Sequence, residues 1–181
     1  FDQHFNADMQ ECAKSIITRL LDHTSDSRRW IEEVFPIKYA IPLAYDFGKI
    51  REGLHGMGSG SGGTNFDETL SHRALQYEAA QSKNKMLNPN SQCLGDDGIL
   101  SYPGITVEDV VQSYSKHGQE MNVDKQSAST QDCTYLRRWH HRDYRMDGVC
   151  VGVYSTYRAL GRLCEQERYY DPEMWSEKMV A

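Results

Sequence analysis

Two adjacent carboxylates, Asp96 and Asp97, stand between glycines in the run Gly95-Asp96-Asp97-Gly98, flanked by short, mostly apolar arms at 91–94 and 99–102. That pattern predicts a β-hairpin with the acids at its tip. A strand tip projects such side chains outward, and the glycines leave room for a large ligand. Hard carboxylate oxygens there suit Mg²⁺ or Mn²⁺. Two such ions about 3.5–4 Å apart clamp the attacking and leaving oxygens of an in-line phosphoryl displacement. Asp and Gly are also ordinary turn formers, so by itself the motif reads equally as a plain turn in a non-catalytic interaction domain.

A second candidate is the loop Gly56-Met57-Gly58-Ser59-Gly60-Ser61-Gly62-Gly63-Thr64, five glycines in nine residues leading straight into a helical pattern. Backbone N–H groups at a helix N-terminus bind anions, and glycine permits close approach. Ser59 and Thr64 add hydroxyls. The spacing Gly58-x-Gly60-x-x-Gly63 superficially fits a dinucleotide fingerprint, so a nucleotide- or dinucleotide-binding enzyme using loop 56–64 is the alternative reading. No strand–helix–strand unit with an acidic residue ~20 positions later accompanies it, and the Gly-Lys-Ser/Thr end of a P-loop is missing. Lys125 is the third candidate. A lysine beside a pyrophosphate leaving group acts as general acid or electrostatic stabiliser, although alone it is an ordinary surface lysine. The seven histidines show no H-E-x-x-H spacing. His140 and His141 would point to opposite faces of a strand, and both read as polar surface or RNA-facing groups.

The elements that must position these groups follow from periodicity. Residues 7–22 predict an amphipathic helix with Met9, Ala13, Ile16, Ile17 and Leu20 on one face. A short second helix runs from a Ser25–Ser27 cap to Glu33, stopped by Pro36. Short strands follow, the last at 49–54. Asn65 to Met86 reads as a helix with Phe66, Leu70, Ala74 and Tyr77 on its stripe, capped by Asn65 with Glu68 closing a capping box. After a turn at 88–90 comes the hairpin, then a helix begun by Thr106 with Asp109 and ended by Gly118. A short strand at 120–123 leads to Lys125. Residues 133–153 read as β with a turn at Asp147-Gly148, and 154–167 and 172–180 as helices. This order predicts an α+β fold, an antiparallel sheet backed by helices.

Composition limits the function classes. The net charge is −6, against a simple nucleic-acid binder, yet between Lys125 and Arg168 eight basic side chains oppose five acidic ones, a segment able to face phosphates. Five cysteines at wide spacing, with no C-x-x-C, argue for free thiols without disulfide partners, and a reducing compartment. No apolar run is long enough to span a bilayer, and no leader or targeting signal is seen. Phe1 and Asp2 open directly into an element and residues 178–181 carry no stop signal, so a fragment is expected.

The order of the motifs is more specific than any one of them. Phe1-Asp2-Gln3-His4-Phe5 precedes a helix, Ser59-Gly60-x-x-x-Thr64 opens another, Gly95-Asp96-Asp97 sits on a hairpin, Lys125 follows a further helix, and 133–141 looks like a second hairpin arm. The series resembles motifs A to E of viral RNA-dependent RNA polymerases, and the stretch from Gly58 to Leu70 looks especially like the picobirnavirus polymerases. The resemblance implies a right-hand polymerase palm with part of the fingers at 1–141 and the start of the thumb at 142–181. The implied reaction is RNA-templated RNA synthesis from ribonucleoside triphosphates, with two Mg²⁺ or Mn²⁺ ions.

By residue, the resemblance makes Asp96 a metal ligand and Asp97 a weaker or indirect one. It makes Asp2 the sensor of the ribose 2′-OH, on a strand adjacent to that of Asp96. Ser59 and Thr64 become nucleotide and template contacts, with Gly60 giving the loop its flexibility. Lys125 becomes the proton donor to pyrophosphate. Residues 133–141, with Arg137, Arg138 and His140 facing RNA, become the support of the growing 3′ end. It further implies template and nascent RNA as partners, a viral capsid as a possible one, and a virion interior and host cytoplasm as location. Two departures stand out. The first motif A aspartate falls upstream of Phe1, and the position where many positive-strand enzymes carry Asn is Glu68, so that Asn65 is nominated to supply the amide to the nucleotide.

Overall fold

Asn6 opens the first helix by accepting a hydrogen bond from the Met9 N–H at 3.1 Å, leaving one fewer orphan donor at the helix start. In the computed structural model, which describes residues 1–101 and 104–164, α1 spans Ala7–Leu20 and buries Met9, Ala13 and Ile17. These lie at i, i+4 and i+8, so one stripe faces inward. Leu20, expected on the same face, is exposed, since the helix ends there and the chain leaves in extended conformation at Leu21.

Phe5, Met9, Ala13, Ile17, Ile31, Phe35, Tyr39, Met57, Leu75 and Tyr114 form the core. Each large apolar side chain there contributes about 1.5–3 kcal/mol of burial. Contacts divide the chain into two units, Phe1–Ala128 and Ser129–Ala181, and this core belongs to the first.

Thr24 caps α2 (Ser25–Arg29) through the Ser27 N–H at 3.2 Å. Pro36 does not stop the helical path. The chain widens into a π turn at Trp30–Val34 and then tightens into a 3-10 turn at Phe35–Tyr39, with Pro36 in the first turn of the latter, where a missing N–H costs nothing. Phe35 and Tyr39 are thereby turned into the core. The strands β1 (Leu43–Asp46) and β2 (Lys49–Arg51) form an antiparallel hairpin.

The long helix α3 (Thr64–Gln81) departs most from expectation. Its N-cap is Gly63, with φ 93° and no side-chain cap, so the Asn65–Glu68 capping box does not form. Phe66 and Tyr77 are exposed, while Asp67, Glu68, Ser71, His72 and Gln76 are buried with Leu75, Ala79 and Ala80. The polar face turns inward because each of several groups finds a fixed partner there. Ser71 Oγ, for instance, donates to the Met9 carbonyl at 3.0 Å and ties α3 to α1.

The hairpin β3 (Gln92–Leu94) and β4 (Asp97–Ile99) pairs Leu94 with Asp97, so the two-residue tip is Gly95-Asp96. Gly95 takes φ 58°, at the first central position, where a II′ turn favours glycine. The capping box at Thr106 and Asp109 forms as expected on α4 (Val107–Ser115). The strand expected at 120–123 does not form. That segment is held by contacts to His4, described below, and a 3-10 turn at Val123–Lys125 follows. No helix among the described residues is long and apolar enough to cross a membrane.

In the second unit, β5 (Asp132–Tyr135), β6 (Arg138–His141) and β9 (Val153–Tyr154) form a three-stranded antiparallel sheet, with β7 (Arg145–Met146) and β8 (Val149–Cys150) a separate hairpin. The turn at Asp147-Gly148 has positive φ at both residues, the I′ pattern that hairpins favour. The helix α5 spans Thr156–Cys164. The helix expected at 172–180 lies outside the described residues. Mixed helices and small antiparallel sheets agree with an α+β reading.

Candidate active site

The buried polar face of α3 is the platform on which the acidic hairpin rests. Thr69 Oγ1 accepts from the Gly95 N–H at 2.8 Å. His72 Nδ1 lies 2.9 Å from the Gly95 carbonyl, which can only accept, so this nitrogen carries the proton. Gln76 Nε2 donates to Gln92 O at 2.9 Å and Arg73 to Ser91 O at 2.6 Å. Burial, opposed by the Gly95 bond and by the charges of Asp96 and Asp97, draws the His72 pKa below its ordinary value, so the ring is a neutral strut.

Gly98 lets this docking happen. A β-carbon there would stand 2.6 Å from His72 Cε1 and 3.1 Å from Gln76 Nε2. The ring cannot swing aside, because its Nδ1 is held and Phe1 and Tyr114 pack on it with centroids 5.6 Å away. Gly98→Ala is therefore expected to cost about 1–3 kcal/mol, the usual range for overpacking. A thermal denaturation midpoint that stays at the wild-type value would show that the hairpin lifts freely.

The N-terminal segment meets the glycine loop. The Met57 N–H donates to Asp2 O at 2.9 Å, and a β-carbon on Gly56 would fall 2.5 Å from that same oxygen, so only glycine allows the approach. Gln119 Nε2 donates to His4 O at 2.7 Å, and the Glu120 N–H to His4 Nδ1 at 3.3 Å. Asp2 was expected on a strand beside the hairpin. It lies instead in a 3-10 turn, Asp2–His4. Its carbonyl is taken by the N–H groups of Phe5 and Met57 and is lost to a sheet ladder, and β3–β4 is a two-stranded sheet.

The side chains nevertheless converge. The side chains of Glu68 and Ser59 draw the Asp2 carboxyl below the usual carboxylate range, against its partial burial. Glu68 also faces the hairpin tip, where a β-carbon built on Gly95 would lie 3.5 Å from Glu68 Oε2 and 3.7 Å from Asn65 Nδ2. Burial, the hydrogen bond to Asp2 and the charges of Asp2 and Asp96 push the Glu68 pKa up to about 8. The Glu68 and Asp2 shifts run in opposite directions, so of the two Glu68 holds a proton the more readily.

A groove of about 520 Å³ opens beside them, lined by Gly60, Thr64, Asn65, Glu68, Gly95 and Asp96 among others. The Thr64 hydroxyl is engaged within the loop, donating toward Ser61 O at 2.9 Å or Gly58 O at 3.2 Å. Behind the loop, Lys38 Nζ meets Asp67 Oδ2 at 2.6 Å, and Tyr39 OH donates to the same oxygen at 2.5 Å.

Of the residues nominated from sequence, Gly60, Thr64, Asn65 and Asp96 line the groove, while Asp2, acted on by Glu68 and Ser59, stands with Ser59 outside its lining. Asp97 is exposed on β4 and does not line the groove, nor does the exposed Lys125. Arg137, Arg138 and His140 lie in the second unit. Arg137, with φ 61°, is at the β5–β6 turn, Arg138 stacks on Tyr154 at 5.2 Å, and His140 sits against Gly152. Sequence reasoning missed Lys38, Asp67 and His72, and misread Glu68 as a helix cap.

Among the described residues no group of three or more His, Cys, Asp or Glu is arranged to hold a metal ion. The donor chemistry still suits a hard cation. Asp96 offers carboxylate oxygens at the exposed tip and Asp97 at the start of β4, and the buried Glu68 Oε1, lining the same groove as Asp96, has no hydrogen-bond partner.

No family model matches the chain. Over 180 residues it is 69% identical to a "Potential RNA-dependent RNA polymerase" of human picobirnavirus (strain Human/Thailand/Hy005102/-), a match that covers 99% of this chain and 34% of that protein. By sequence and by fold the chain is a relative of the picobirnavirus RNA-dependent RNA polymerases. The crystal structure of the RNA-dependent RNA polymerase of a human picobirnavirus superposes with a TM-score of 0.90 at 69% identity, over 99% of this chain and 34% of that one. The structure of its insertion-loop deletion mutant gives 0.91 at the same identity, over 99% and 35%. The chain thus spans about a third of the length of these polymerases. Among the described residues every strand pairing is antiparallel, which is not the parallel-sheet setting of the dinucleotide-binding alternative.

Proposed function

We propose that this chain is the palm portion of a viral RNA-directed RNA polymerase, residues 1–141 being palm with a finger insertion and 142–181 the start of the thumb. The complete enzyme would join ribonucleoside triphosphates on an RNA template, in replication and transcription of a viral genome. The observation that carries this reading is the meeting of Asp2, Ser59, Glu68 and Asp96 beside a glycine-lined groove, in a chain 69% identical to a picobirnavirus protein of that description.

Asp96, with Asp97 as the weaker partner, would hold two Mg²⁺ or Mn²⁺ ions, which when bound supply charge neutralisation at the attacking and leaving oxygens. The protein's own groups do the rest. The hydrogen bonds that the Gly95 N–H donates to Thr69 and the Gly95 carbonyl accepts from His72 fix the tip that carries Asp96. Asp2, kept anionic, accepts a hydrogen bond from a sugar hydroxyl. Gly60, Thr64 and Asn65 form the wall against which nucleotide and template lie. Lys125 donates a proton to the departing pyrophosphate. Arg137, Arg138 and His140 contact the growing strand. Action inside the virion and in the host cytoplasm, with a capsid as partner, follows from the same resemblance. The 181 residues alone, a third of the relatives' length, are expected to be inactive.

The test is incorporation of labelled nucleotide by the complete protein on a defined RNA template with Mg²⁺ or Mn²⁺. Template-dependent RNA product supports the reading. No product on any template, with stoichiometric NAD or ATP binding to the loop, would replace it with the dinucleotide alternative.

A further inference from the structure

The crest of the glycine loop rests on nothing outside itself. A β-carbon on Gly60 or Gly62 would meet no heavy atom within 4 Å. The backbone bonds there close on the loop, the Ser61 N–H donating to Gly58 O at 3.0 Å and the Thr64 N–H to Ser61 O at 3.2 Å. The crest therefore stands wherever its two stems are held, and the 3-10 turn Phe35–Tyr39 grips both. At the first stem the His55 N–H donates to Tyr39 O at 3.0 Å. The His55 ring nitrogens lie 2.7 Å from Gly56 O and 2.9 Å from Ile41 O, and Gln10 Nε2 donates to His55 O at 3.1 Å. At the second stem Lys38 Nζ meets Asp67 Oδ2, in the first turn of α3, at 2.6 Å. The same nitrogen is 3.3 Å from the place of a β-carbon on Gly63, and the Lys38 carbonyl is 3.7 Å from that of Gly58. One residue thus touches the loop at both sides. Its side chain is 10% exposed and packed over the Phe35 and Tyr39 rings at 4.1 and 5.4 Å, so it has no room to shift.

Resting on the polymerase reading, we propose that Lys38 is a positioning residue for nucleotide binding: its ammonium ties the start of α3 to the 35–39 turn and so sets the glycine wall against which the nucleotide lies, with His55 as the matching pin at the other stem. Gly60 and Gly63 of that wall line the groove, whereas Lys38 and His55 stand behind it and touch no ligand. A ligand that needs the wall in one place binds in proportion to the fraction of molecules that have it there. Loosening a stem lowers that fraction and weakens binding, while the groups that react once the nucleotide is bound are unchanged.

The test uses the complete protein carrying Lys38→Met together with Asp67→Asn. This pair of changes removes both charges at once, which buried ion pairs often tolerate, and leaves an acceptor for the Tyr39 hydroxyl. KM for a ribonucleoside triphosphate is expected to rise about tenfold with kcat within about threefold of wild type. Amide hydrogens over 58–63 should exchange about tenfold faster, while those of α1 keep the wild-type rate. His55→Ala, at a partly buried residue, is expected to give the same pattern and decides the matter where the double variant does not fold. If the folded variants keep the wild-type KM and loop exchange, the two pins are only structural and the proposal fails. A fall in kcat at unchanged KM overturns it as well. Failure of the polymerase reading looks different: the unaltered protein would incorporate no nucleotide, and loop exchange in the variants would still show whether Lys38 and His55 hold the loop.

Discussion

Asp96→Ala in the complete protein is expected to lower RNA-templated incorporation by at least about a thousandfold while leaving the fold intact. The side chain is exposed at the two-residue tip of a hairpin, and the bonds that dock that tip on α3 use the Gly95 backbone, not the Asp96 carboxylate. Its removal therefore sacrifices no core contact. What it removes is a ligand oxygen at the groove. Charge neutralisation in phosphoryl transfer is worth several kcal/mol, and at about 1.4 kcal/mol per tenfold this exceeds three decades. Single-turnover incorporation and a denaturation curve on the same preparation separate the two effects. A variant that keeps a tenth of the wild-type rate would remove Asp96 from the chemistry. Asp97→Ala, at a residue outside the groove lining, is expected to cost less.

The largest effect on stability is expected at Asp67→Ala. Asp67 is 1% exposed and receives both Lys38 and the Tyr39 hydroxyl. Burial, with the bond to Asp67 and its charge, pushes the Tyr39 hydroxyl far above its ordinary pKa, so it remains a donor. The Lys38 ammonium also lies 4.1 Å above the Phe35 ring centroid. Without the carboxylate it becomes a buried charge with no counterion. Breaking a buried pair from one side costs about 3–5 kcal/mol. Urea denaturation should show that loss, and adding Lys38→Met should recover part of it, since the unpaired charge is then gone. A loss under about 1 kcal/mol would mean that Lys38 reaches water once released. The pair sits directly behind Gly63, where a β-carbon would stand 3.3 Å from Lys38 Nζ, so the ion pair braces the glycine loop as well as the core.

Apolar periodicity located α1 and its Met9–Ala13–Ile17 face because that helix buries hydrocarbon against hydrocarbon. Turn chemistry located the acidic hairpin, although Asp97, expected at its tip, is already on β4, and the Asp147-Gly148 turn, and a capping pattern located α4, since those signals are local. The same tools failed on α3. Its inward face is Asp67, Glu68, Ser71, His72 and Gln76, which a hydropathy stripe reads as solvent-facing. Polar groups can be buried only when distant partners meet them. Here those partners come from Met9 and Lys38 and from the 91–95 segment, none of them visible in local spacing. Glu68 was misread for the same reason. Its position three residues after Asn65 fits a capping box, and only the fold reveals Asp2 on the other side. The strand expected for Asp2 failed because its carbonyl is claimed by Met57, 55 positions along the chain.

In the proposed polymerase centre, carboxylates distant in sequence surround the divalent cations beside the glycine loop. Iron-mediated hydroxyl-radical cleavage of the complete protein, with Fe²⁺ in place of Mg²⁺, reads this directly. Cuts are predicted together near residue 2, across 59–68 and at 95–97, suppressed by excess Mg²⁺ and by Asp96→Ala. Cleavage absent from these three segments, or indifferent to both Mg²⁺ and Asp96, would contradict it.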